Sequence, residues 1–156
     1  MKVLQVRAME GANFFSYQPV IRGVVDISAC LGKTTKEWGD FNDRLLHILP
    51  GLANHTCSRG KPGGFLERLE EGTLPGHVLE HVAIELLTLA GEKTRYGKTR
   101  LLDETRNEYE VVYQYECKEA GIQAFYLAAE VLNQLRQLCT PDIYSMVEKL
   151  KSIRLN

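Results

Sequence analysis

The chain has 156 residues, 44% of them hydrophobic and 25% charged, a balance that fits one globular domain and excludes a disordered chain. Its 19 Lys and Arg face 20 Asp and Glu for a net charge of -1, which argues against a general nucleic-acid binder. No apolar run nears the ~20 residues needed to cross a bilayer, and the start, MKVLQVRAMEG, lacks the apolar stretch of a signal peptide. Cys30, Cys57, Cys117 and Cys139 are scattered without a CxxC pair, so reduced thiols and a cytoplasmic location are expected.

In chain order, Val3 to Arg7 alternates as a short strand, and Glu10 to Ser16 reads as a turn carrying Phe14 and Phe15. Pro19 to Ile27 is β-branched and predicts a second strand, with Gly23 a candidate bulge. Gly32 to Thr35 reads as loop. Trp38, Phe41, Leu45, Leu46 and Leu49 recur at helical spacing until Pro50-Gly51 stops them. Asn54 to Gly64 is a Gly- and Ser-rich loop, and Phe65 to Glu71 a helical turn closed by Gly72. A strong helix is predicted from Thr73 or Pro75 to Ala90, with Thr73 as N-cap and Gly91 beyond its end. Lys93 to Asn107 reads as a polar, basic loop, and Tyr109 to Glu116 as a strand. Ala120 to Leu138 and Pro141 to Leu155 are predicted helices, the second capped by Thr140 and read as a connector. The order β-β-α-α-α-β-α-α predicts an α+β fold, a small mixed or antiparallel sheet with four to five helices in a single domain. Arg154-Leu155-Asn156 ends without Gly or Pro closure, as expected of a chain that continues.

The segment Gly76-His77-Val78-Leu79-Glu80-His81-Val82-Ala83-Ile84-Glu85-Leu86-Leu87-Thr88 carries the chemistry. Val78, Leu79, Val82, Ala83 and Leu86 form a broad apolar face, and His77, Glu80, His81, Glu85 and Thr88 gather opposite, interrupted by Ile84. Such groups in a largely buried helix need partners or a metal. His77 and His81 stand one turn apart, the spacing at which two imidazoles bind one zinc ion. His-x-x-Glu-His is the inverzincin pattern, in which Glu80 is the general base. Glu85 and Glu67 are the candidates for a third ligand. The alternative is that the histidines hydrogen-bond within a buried helix while Glu80 and Glu85 pair with Arg68, Arg95 or Arg100.

Gly91 to Thr99 imitates a P-loop, but it has five residues between its glycines and follows a helix, so that reading is rejected. Lys93, Arg95, Lys98, Arg100 and Arg106 instead cluster around Tyr96 as a site for ligand carboxylates, or as a solvated loop. A Cys57–His55 nucleophile pair is disfavoured, and the Asn54 to Gly64 segment reads better as a pocket wall. His47 reads as structural.

Phe41-Asn42-Asp43-Arg44-Leu45-Leu46, Leu49-Pro50-Gly51-Leu52, His55-Thr56-Cys57-Ser58, Lys61-Pro62-Gly63-Gly64-Phe65-Leu66-Glu67-Arg68-Leu69, Gly76-His77-Val78-Leu79-Glu80-His81-Val82-Ala83, Gly97-Lys98-Thr99-Arg100 and Val111-Val112-Tyr113-Gln114-Tyr115-Glu116 follow one another in this order. Together they resemble the N-terminal domain of cyanophycin synthetases, over about residues 1 to 140, with 141 to 156 as the connector helix. The resemblance implies a larger enzyme that builds poly-aspartate bearing arginine on its side chains. In it, ATP-grasp and Mur-ligase-like domains, absent from this chain, use ATP and Mg2+. It implies that the N-terminal domain holds the polymer, and that some members cut it at a metallopeptidase-like centre to supply primers. It also implies a homo-oligomeric full-length enzyme. The leading expectation is a zinc centre on His77 and His81 completed by Glu85 or Glu67, with Glu80 as base and Arg59, Lys98 and Arg100 engaging substrate carboxylates or the developing oxyanion. The alternatives are a polymer-binding module without catalysis and a purely architectural domain.

Overall fold

The computed structural model describes residues 1–30, 34–94 and 96–155. The predicted loop at Gly32 and the predicted cation Arg95 lie outside the described residues. Four strands form one antiparallel sheet in the order β1-β2-β4-β3: β1 (Lys2–Met9), β2 (Val20–Asp26), β3 (Gly97–Asp103) and β4 (Glu108–Gln114). Among the described residues five α-helices accompany it: α1 (Phe41–Ile48), α2 (Gly64–Glu71), α3 (Pro75–Leu89), α4 (Lys118–Arg136) and α5 (Ile143–Leu155). The α+β class and the antiparallel sheet are as expected. None of the described helices is long and apolar enough to cross a membrane.

β3 is the element missed in the sequence, where Lys93 to Asn107 reads as loop. It is an edge strand whose outward positions carry Lys98 and Arg100, so its charge hides its alternation, and cations on an edge strand discourage pairing with other chains. Its register sets Arg100 opposite Glu110 of β4 and Thr99 opposite Val111, so these neighbours face opposite sides of the sheet. The P-loop rejection stands, because Gly97 opens a strand.

α3 and α4 cover the inner face of the sheet, α3 over β3 and β4 and α4 over β1 and β2. Gly23 makes no bulge; the irregularity of β1–β2 lies between Val3 and Gln5. Gly23 instead leaves room for the Phe125 ring of α4, which a Cβ there would overlap. α2 and the 3-10 turns Pro50–Asn54 and Cys57–Arg59 pack on the far side of α3, which is buried almost all round.

Two caps differ from expectation. Leu74 occupies the N-cap of α3, and the Thr73 side chain turns instead to His77. At α5, the Asp142 carboxylate accepts from the Ser145 amide at 3.0 Å, the work expected of Thr140. α5 docks through Met146, Val147 and Leu150, and its Arg154 pairs with Glu92, which accepts the Glu116 and Cys117 amides at the start of α4.

On the outer face Glu110, only 1% exposed, is flanked by Arg22 at 2.5 Å and by Arg100. Burial pushes its carboxyl up, but hydrogen bonds from Arg100 and Arg22 outweigh that and hold it below the ordinary 4.5. A depressed carboxylate adds stability that is complete above the unfolded value and is lost as pH falls through the folded one. Acid titration of unfolding below about pH 4.5 should show this loss, and Glu110→Gln should remove that part of the slope. Gly23→Ala should lower stability by about 1–3 kcal/mol through overpacking against Phe125, read by thermal or urea unfolding.

Candidate functional site

The site lies where the N-terminal half of α3 meets the turns that follow α1. Between them and β3 opens a cavity of about 1210 Å³, bordered by Cys57, Thr73, His77, Glu80, His81 and Thr99, among others. Helical spacing stacks His77 and His81 on one side of α3, with ring centroids 4.8 Å apart. The Phe65 ring of α2 lies flat against His81 at 4.0 Å. Close backbone approach brings these pieces together. Gly64 opens α2 hard against the Thr56 carbonyl, where a Cβ would collide.

Cys57 completes the cluster. Its Sγ lies 3.1 Å from His77 Nε2, and Sγ and one ring nitrogen from each of His77 and His81 fall within 4.8 Å of one another. Cys57 takes a left-handed backbone, φ 53°, at the head of its 3-10 turn. The other nitrogen of His77, Nδ1, lies 2.8 Å from Thr73 Oγ1. His81 Nδ1 lies 2.9 Å from His55 Nδ1, and His55 Nε2 lies 2.9 Å from Glu85 Oε2. His81 Nε2 is buried with no hydrogen-bond partner among the described residues, and Glu80 Oε1 lies 4.0 Å from it.

Burial shapes the electrostatics. It drives His77 down to about 4, helped by the Arg68 charge, and drives His81 far below the ordinary range, helped by His77 and His55. Both imidazoles are neutral at physiological pH, as metal ligands must be. Burial raises Glu80 to about 7, against the opposing pull of a 2.6 Å hydrogen bond donated by the Thr99 hydroxyl to Oε2. A carboxylate tuned close to neutrality suits a general base.

The remaining residues predicted from sequence are placed as follows. Both carboxylates offered as third ligand are engaged elsewhere: Glu85 with His55, and Glu67 with Lys61 at 2.6 Å on the surface. Helix rotation carries Glu85 beyond His81, behind His55. Arg59 is bound by Glu71 at 2.5 and 2.6 Å. Lys98 and Arg100 border the cavity from β3, but the Arg100 guanidinium is held by Glu110 on the outer face. Arg106 pairs with Asp103, so the expected cation cluster is spread along a strand and its turn. His47 is exposed at a shallower depression by α1. Sequence reasoning gave no place at the centre to Thr73, Thr99 or the His55–Glu85 pair. The signal available for Thr73 was its position four residues before His77, and for Cys57 its closeness to His55.

The family model of the cyanophycin synthase-like N-terminal domain matches residues 23–137, and the chain belongs to this family. It is 37% identical over 164 residues, covering 100% of the chain, to a cyanophycin synthetase of Geminocystis herdmanii. It is 33% identical over 99% of its length to one of Crocosphaera subtropica, and 34% identical over 98% to one of Synechocystis. The chain spans 18%, 18% and 17% of these relatives, under a fifth of each.

Thr99→Val keeps the shape of the side chain but removes the donor to a buried carboxylate. The expected result is a loss of about 1–3 kcal/mol in urea unfolding, together with a further rise of the Glu80 pKa followed by carboxyl NMR.

Proposed function

We propose that this chain is the polymer-handling domain of a cyanophycin synthetase and that its cavity is a metal-dependent hydrolytic centre cutting cyanophycin to generate chain ends for extension. The observation that carries the reading is the convergence of Cys57, His77 and His81 beside a buried carboxylate, at the wall of an open cavity. The donor set fits a divalent cation. Two neutral imidazoles and one thiol are the ligand types zinc favours, three protein ligands leave a fourth position for solvent, and His81 Nε2 is a buried atom without another partner among the described residues.

A zinc ion in this position would supply Lewis acidity to a peptide carbonyl and acidify water. The chain's own residues supply the rest. The Thr99 hydroxyl anchors Glu80 through Oε2, leaving Oε1 on the His81 side to take the proton from an attacking water. Having received it, the same carboxyl is placed to pass it to the leaving amine. Thr73 fixes the rotation of His77, and Phe65 limits the freedom of His81. Lys98, exposed at the cavity border, is a cation placed to meet substrate carboxylates. Synthesis itself would belong to ATP-dependent domains of the larger protein, with ATP and Mg2+ bound there.

Purified protein should carry about one zinc per chain and release short fragments from cyanophycin. Glu80→Gln should retain the metal and lose fragment release by at least about a hundredfold, the usual contribution of a positioned base. Cys57→Ala should lose both metal and release. Polymer retained without fragments from either wild type or Glu80→Gln would instead support the non-catalytic binding module.

A further inference from the structure

We infer that His55 and Glu85 form a proton-ordered relay that holds His81 in the tautomer leaving its Nε2 lone pair bare. This makes His55 a positioning residue for the site, and the inference deepens the hydrolytic reading on which its metal arm rests.

The chain of contacts is linear. Glu85 Oε2 lies 2.9 Å from His55 Nε2, and His55 Nδ1 lies 2.9 Å from His81 Nδ1. A carboxylate only accepts, so His55 Nε2 must carry a hydrogen. In a neutral imidazole the other nitrogen is then an acceptor, so His55 Nδ1 offers its lone pair. Two facing lone pairs repel, so His81 Nδ1 carries the hydrogen between the rings. His81 Nε2 is left as a lone pair, and it is this atom that is buried without a partner. The reverse order would place an N–H on Nε2, aimed at nothing within hydrogen-bond distance among the described residues, and would require a proton on Glu85 or a second one on His55.

Two further observations show that the relay is built into the fold. Glu85 and His81 are each 5% exposed and the His55 side chain 14%, so both contacts lie largely out of water. Gly51, in the turn after α1, sits so close to the Glu85 carboxylate that any Cβ there would overlap Oε1. His77 has the same arrangement in simpler form, with Nδ1 on Thr73 Oγ1 and Nε2 toward Cys57. Outer partners of this kind fix the ring and tautomer of metal-binding histidines, and losing one costs 10–100-fold in affinity.

Imidazole nitrogen NMR on the metal-free, 15N-labelled 156-residue chain reads the proton order directly. The expected spectrum shows His81 protonated at Nδ1 and bare at Nε2. His55→Ala should abolish that preference, and His55→Asn, whose amide oxygen stands near the lost Nδ1, should restore it. Cobalt titration should follow, with affinity about 10–100-fold weaker in His55→Ala and largely recovered in His55→Asn. His81 protonated at Nε2 in the wild type overturns the inference, as does unchanged cobalt affinity in a folded His55→Ala. A wild type that shows the Nδ1 hydrogen but takes up no cobalt supports the relay while rejecting the metal centre.

Discussion

Everything at the site depends on the near-complete burial of α3. A helix covered on one face leaves its polar stripe to water, which satisfies any donor or acceptor at little cost. Here α2, the turns between α1 and α2, and β3 close over the stripe, so Glu80, His81 and Glu85 sit 5% exposed in a medium that penalises every unpaired polar atom. Each group must therefore find a partner from another element. Thr73 serves His77, Thr99 serves Glu80, and His55 stands between His81 and Glu85. On the polar stripe of α3, His81 Nε2 is left without a partner among the described residues.

The same burial sets the charge states. Desolvation keeps both helix histidines neutral and lifts Glu80 to about 7, the combination a base-assisted hydrolytic centre needs. It is obtained without a specialised loop. Tight backbone approach at Gly51 and Gly64 lets the turns close over α3, while Gly97 leaves space for the Glu80 side chain against β3. These three glycines act through the absence of a side chain, so their role is invisible until the elements they join are in place.

Much of the architecture was legible. Alternation and β-branching located β1, β2 and β4, and 3.6-residue periodicity with Pro and Gly punctuation located the helices to within a few residues. β3 escaped because an edge strand with one face toward solvent carries Lys98 and Arg100 where alternation would show, and because its pairing energy comes from β4 across a turn. Gly23 was misread because a glycine in a strand signals either a bulge or a close neighbour, and only the approach of Phe125 distinguishes them.

The sequence by itself determined the spacing of His77, Glu80 and His81, because four residues make one helical turn whatever surrounds it. It also determined that their helix would be mostly apolar and hence buried. Only the tertiary structure decided which group joins the two histidines. Cys57 arrives from a turn twenty residues earlier through packing of the Cys57–Arg59 turn on α2, while Glu85, nearer in sequence, is rotated behind His55, and Glu67 points to Lys61 and solvent. Helical geometry is local and can be read from order along the chain. Contact between separate elements depends on how their surfaces fit, and no local spacing encodes it.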